Sequence, residues 1–110
     1  MDKELLFKPR LPEEDVDIPG VGTIRVRGLS RHEGVYVSAA NGPEAAERRA
    51  LACGMVDPTM SEEEVGRWQR AAPAGELDPV AETITRLSGM APESAKEAVK
   101  EFEADPSLEF

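Results

Sequence analysis

Two short runs of alternating polar and apolar residues, DVDI (15–18) and TIRVR (23–27), flank the tetrapeptide PGVG (19–22). Alternation with period two suits an extended chain with one buried face, and it places Val16, Ile18, Ile24 and Val26 together on that face. Proline beside glycine turns the chain. The pattern predicts a β-hairpin over residues 14–28. An isolated hairpin is marginal in water, so the rest of the chain must supply something for it to pack on.

The rest reads as short helices. SRHE (30–33) and SEEE (61–64) have the Ser-x-x-Glu spacing of a capping box, in which hydroxyl and carboxylate each accept a free backbone N–H of the first turn. The first opens a helix from Ser30 to Ala40, although Gly34 and the β-leaning VYV (35–37) leave residues 34–40 open between helix and strand. Pro43 suits the start of the next helix, which Gly54 closes as a residue just past its end, with Glu44 and Arg48 paired at i and i+4. MVDPTM (55–60) is a connector. Asp78 and Pro79 read as N-cap and first residue of a helix whose Leu77, Val80, Ala81, Ile84 and Leu87 form the cleanest amphipathic face in the chain. A last helix from Pro92 to Ala104 turns Ala95, Val99 and Phe102 inward.

Nine prolines and nine glycines fall almost wholly at these junctions, which favours an ordered domain over a disordered acidic chain. The expected fold is α+β and mainly α: an N-terminal hairpin packed on about five short helices. The expected organisation is a single domain over 1–110, with an extended arm (1–12), the hairpin (14–28), a helical part (30–104) and a frayed tail (105–110). With one Trp, one Tyr and three Phe among 110 residues, the core has to rest on aliphatic side chains.

Charge narrows the function. Thirteen Lys and Arg stand against 22 Asp and Glu, a net −9, the wrong sign for a nucleic-acid binder. Residues 41–110 carry most of it, with 7 basic and 15 acidic side chains. Such a surface repels DNA and anionic membranes and attracts basic partners. The single cysteine, Cys53, leaves no internal disulfide and fits a reducing cytosol. The apolar run Leu5–Phe7 is too short for a secretory signal or a membrane span.

No catalytic constellation emerges. Gly20, Gly22 and Gly28 do not form a dinucleotide fingerprint, because the residues after Gly22 read as strand and a phosphate loop must open into a helix. The only histidine, His32, has no second histidine for a metal site and falls in an exposed first helical turn. Cys53 lies among Ala50, Leu51, Ala52 and Gly54 and reads as core filler. Glu62, Glu63 and Glu64 point in different directions and read as a helix start, not a metal cluster. Arg25, Arg27 and Arg31 alternate onto one side, where they meet water, the chain's own carboxylates or an acidic partner. Trp68 shares a thin stripe with Val65 and Ala72, either as core anchor, the favoured reading, or as an exposed contact for a partner.

The phrases LFKPRLPEEDVDIPGVGTIRVRGLSRHE, ERRALACGMVDPTMSEEEVGRW, APAGELDPVAETITRLSGM and AKEAVKEFEADPSLEF resemble, in this order, the tail assembly chaperones of long-tailed bacteriophages and prophages. The resemblance runs from Leu6 to Phe110 and is most telling at IRVRGLSR (24–31), GMVDP (54–58), APAGE (72–76), LSGM (87–90) and KEFEADP (100–106). It implies a protein without catalysis or cofactor that coats the tape-measure protein in the host bacterial cytoplasm while tube subunits polymerise, and that is absent from the mature virion. It also implies the short member of a pair whose longer form arises by frameshift. Tape-measure protein, tail tube protein, that longer form and further copies of the chain are the expected partners, with no nucleic acid or membrane. Leu6, Phe7, Arg25, Arg27, Trp68, Phe102 and Phe110 are the expected contact residues. A small acidic regulatory module, mimicking DNA or neutralising a basic toxin, is the competing reading.

Overall fold

The alternating runs pair in the computed structural model, which describes residues 1–90. Strand β1 (Glu13–Ile18) and strand β2 (Gly22–Arg27) form an antiparallel hairpin in which Val16 faces Ile24 and Ile18 faces Gly22. Gly20 and Gly22 take φ of 79° and 140°, left-handed backbone that glycine adopts without a Cβ clash. The inner face is the expected one: Ile18, Ile24 and Val26 are buried and Val16 is half-buried.

Helix α1 (Glu4–Phe7) is a single turn where an extended arm was expected. Side chains close both of its ends. The Asp2 carboxylate accepts the Glu4 N–H at 3.0 Å, and the Arg10 guanidinium donates to the carbonyls of Leu5 and Lys8 at 2.9 and 3.0 Å. Helix α2 (Arg31–Ser38) settles residues 34–38 as helical, its Ser30–Glu33 capping box fully made. Helix α3 (Pro43–Gly54) runs without a break into strand β3 (Met55–Asp57), which pairs antiparallel with β2 to give the sheet order β1-β2-β3. The expected connector is therefore partly a strand. Three residues are too few to show a period, and the pairing depends on α3 delivering Met55 beside Val26.

Helix α4 (Glu62–Ala71) has its Ser61–Glu64 capping box in place. Helix α5 (Asp78–Leu87) starts one residue early: Leu77 holds the N-cap position without a side-chain cap, and Pro79 is the second helical residue. Burial of Leu77 against the core outweighs the capping preference of Asp78. The expected last helix (92–104), the tail (105–110), Phe102 and Phe110 lie outside the described residues. The described part is thus mainly α, α+β, with five helices around a three-stranded antiparallel sheet. None of these helices is long and apolar enough to cross a membrane.

One cluster holds the sheet, α3, α4 and α5 together. Ile18, Ile24, Val26 and Met55 from the sheet meet Leu51 of α3, Val65 of α4, and Leu77, Val80 and Ile84 of α5. The layer is thin enough that backbones come close. Gly54 is the last residue of α3 and not, as expected, one just past its end, and a Cβ there would stand 2.6 Å from Ile84 Cδ1. Gly54→Ala is therefore expected to lower the urea midpoint, with an overpacking cost of about 1–3 kcal/mol. Adding Ile84→Val removes the clashing methyl, so the double variant should be more stable than the sum of the single effects, as a double-mutant cycle would read.

Candidate apolar groove at the hairpin tip

The hairpin turn overhangs the end of α4, and the space between them is an open apolar groove of about 420 Å³. Ile18, Val21 and Ile24 form its hairpin wall, with Met55 at its floor. Pro58 and Met60, from the β3–α4 connection, close one side. Trp68, Ala71 and Ala72 of the α4 end, with Pro73 and Glu76, close the other. Around the hairpin end a second hollow of about 380 Å³ shares Ile18, Pro73 and Glu76 and continues to Val16, Asp17 and Pro79.

Local sequence builds the far wall. The helix stops at Ala72, whose backbone turns extended ahead of Pro73. A turn closed by the Glu76 N–H on the Pro73 carbonyl at 3.0 Å then sends the chain back towards α4. That return places the Glu76 carboxylate 2.9 Å from the Trp68 indole N–H, which donates to it. Trp68 is half-buried, packed against the core while also lining the groove, so the two readings of this residue describe two sides of one ring. Val21 is 71% exposed at the tip. The chemistry of the groove is that of apolar surface with one anionic group, suited to holding an apolar segment.

The expected contact residues do not all converge here. Leu6 and Phe7, 56% and 67% exposed on α1, are absent from the groove wall. Arg25 and Arg27 are engaged within the chain. Arg25 bridges Glu13 and Asp15 across the hairpin at 2.7 and 2.8 Å, while both terminal nitrogens of Arg27 bond the Glu33 carboxylate at 2.8 Å. The Arg27 guanidinium, aided by the Ser30 backbone, holds the Glu33 carboxyl down at about 2 despite its partial burial. A depressed carboxyl stabilises the fold above its unfolded-state value and loses that contribution as pH falls through the folded one. Stability should therefore decline between about pH 4.5 and pH 2 in acid titrations, and Glu33→Gln should flatten that segment of the curve.

His32 is exposed in the first turn of α2, as expected. Cys53 is partly buried, and burial pushes its thiol above its ordinary value, away from reactivity. Pro58, Met60 and Glu76 carry no individual signal in the sequence, although GMVDP contains Pro58 and APAGE contains Glu76. Nothing about an isolated glutamate or methionine marks it as lining a groove. The fold and groove define a class, a small acidic α+β protein with an open apolar groove. No protein-family model, curated protein or solved structure matches the chain.

Proposed function

We propose that this chain is a non-catalytic tail assembly chaperone that binds an apolar helical stretch of a phage tape-measure protein, shielding it during tail morphogenesis. The observation that carries this reading is the groove between the hairpin tip and Trp68, which presents apolar surface beside a single carboxylate. A long helical, partly apolar partner aggregates when uncovered, and a groove that accepts an amphipathic helix covers it reversibly. The resemblance at IRVRGLSR, GMVDP and APAGE supports the same reading, since GMVDP and APAGE contribute Met55, Pro58, Ala72, Pro73 and Glu76 to the groove. Recruitment of tail tube protein, a frameshifted longer form, action in the host cytoplasm and absence from the finished virion belong to this proposal. A DNA-mimicking role draws less support, because the hairpin carboxylates Glu13 and Asp15 share Arg25 and Glu14 is paired with Arg86, which breaks up the anionic row there.

The test is co-purification with a co-expressed tape-measure fragment. Ala71→Arg and Val21→Asp alter exposed positions in the groove wall and leave the core side chains in place. Each is expected to reduce recovery of the fragment several-fold with an unchanged circular dichroism spectrum. Unchanged recovery in both variants would refute the groove as the tape-measure site.

A further inference from the structure

The N-terminal arm carries exposed apolar side chains and a net positive charge, against a groove that is apolar with one carboxylate. Leu5, Leu6 and Phe7 project from one helical turn at 52%, 56% and 67% exposure. The Arg10 guanidinium ties that turn down through the carbonyls of Leu5 and Lys8, so Leu5, Leu6 and Phe7, which fan out around the turn as consecutive helical residues do, are held exposed on a preformed apolar tip, the knob. Preorganisation of this kind lowers the entropy lost on docking. Residues 1–10 carry Lys3, Lys8 and Arg10 against Asp2 and Glu4, a net +1, which leaves −10 on the remainder of a chain whose total is −9. The groove's charged wall residue is the Glu76 carboxylate.

We propose that the Leu5–Phe7 knob of one copy of this chain docks in the hairpin-tip groove of a second copy. The arm's own groove is poorly placed for it. The arm joins the hairpin at Pro12, whose carbonyl accepts the Gly28 N–H at 2.9 Å, at the end opposite the Pro19–Val21 turn. From Pro12 to Ile18 the strand covers about 20 Å. Five fully extended residues, from Pro12 back to Phe7, reach about 17 Å, enough for the near end of the groove beside Ile24 but short of its Ile18–Val21 end. Reaching the groove in cis would also unmake the turn and its Arg10 bonds, whereas a neighbour's arm enters intact. Residues 91–110 are a weaker occupant by charge, with Lys96 and Lys100 against six carboxylates. The contact is head-to-tail, using different surfaces on the two copies, so it builds rings or open chains. It also occupies the surface proposed above for the tail partner, and binding that partner releases the copies from one another.

Sedimentation equilibrium of the full chain alone, from about 5 to about 500 µM, tests this in the range where small contacts associate. The wild type is expected to associate with rising concentration. Leu6→Asp/Phe7→Asp, which spoils the knob, and Ala71→Arg, which blocks the groove, should each be monomeric throughout. A mixture of these two variants should form a one-to-one pair, because one keeps an intact groove and the other an intact knob. A synthetic peptide of residues 1–12 should shift the emission of Trp68, the only tryptophan, saturably in the knob variant and not in Ala71→Arg. A monomeric wild type overturns the proposal. So does undiminished association of the knob variant, which would assign the contact to another surface or to residues 91–110, and so does a mixture that stays monomeric. No tape-measure fragment is present, so each of these outcomes leaves the co-purification result to stand or fall separately.

Discussion

Leu51→Ala is expected to lower the unfolding free energy by about 2–5 kcal/mol, a large share of the 5–15 kcal/mol typical of small domains. Leu51 is fully buried on α3, at 0% exposure, and belongs to the cluster that joins the sheet to α4 and α5. Truncation removes its transfer free energy and leaves a cavity whose neighbours come from rigid elements on several sides. Relaxation is limited, and the cost should fall in the upper part of that range. Urea unfolding followed by Trp68 emission reads the effect directly, with a midpoint expected to drop by at least about 1 M and an unchanged slope. A shift below a quarter of that would show that Leu51 is not the central contact its burial indicates.

Gly28→Ala is expected to be comparably damaging for a different reason. A Cβ on Gly28 would lie 2.6 Å from the Leu87 carbonyl carbon and 2.9 Å from the Ser88 nitrogen. These are backbone atoms at the end of α5, and no rotamer change relieves them. The next residue's N–H donates to Ser88 Oγ at 2.7 Å, so moving the strand exit away also breaks a partly buried tie. The expected cost is about 2–4 kcal/mol, through overpacking and the lost hydrogen bond together. Gly20→Ala supplies the contrast. Gly20 has φ of 79° but nothing within 4 Å of an added Cβ, so only local strain of about 1–2 kcal/mol is expected. Thermal melts of the two variants side by side would reverse the order expected here if the α5 contact were absent.

These glycines illustrate where sequence reasoning works and where it stops. Gly20 and Gly22 are legible as turn residues because the need is local, arising between strands only a few residues apart. Gly28 reads from sequence merely as the exit of a strand. Its real constraint comes from Leu87, 59 positions away. Gly54 reads on the same local logic as the residue just past a helix end, and in the fold it ends the helix itself and makes room for Ile84. The third strand escaped notice for a related reason, since Met55–Asp57 has no strand signature without β2 beside it.

The groove was legible in part. Trp68 stands out in the sequence as a lone large side chain on a charged helix, and its half-buried position lets it pack on the core while lining the groove. Glu76 gave no signal of its own, because its role exists only where the Pro73–Glu76 turn carries it back to the indole. Arg25 and Arg27 were read as sharing one side of the chain, with the partner left open. The hairpin register supplies Asp15 opposite Arg25, and the path from β2 into α2 brings Glu33 to Arg27.

By itself, then, the sequence determined the hairpin and its buried face, both capping boxes and the class of fold, each a consequence of periodicity or hydrogen bonding within a few residues. Tertiary structure alone decided that α3 feeds a third strand, that two glycines serve close packing, and that Trp68, Glu76 and the hairpin tip enclose an apolar groove. The physical reason is range. Alternation and capping are satisfied inside a turn or two of chain, whereas a backbone approach or a groove wall depends on which distant segments the shared core draws together.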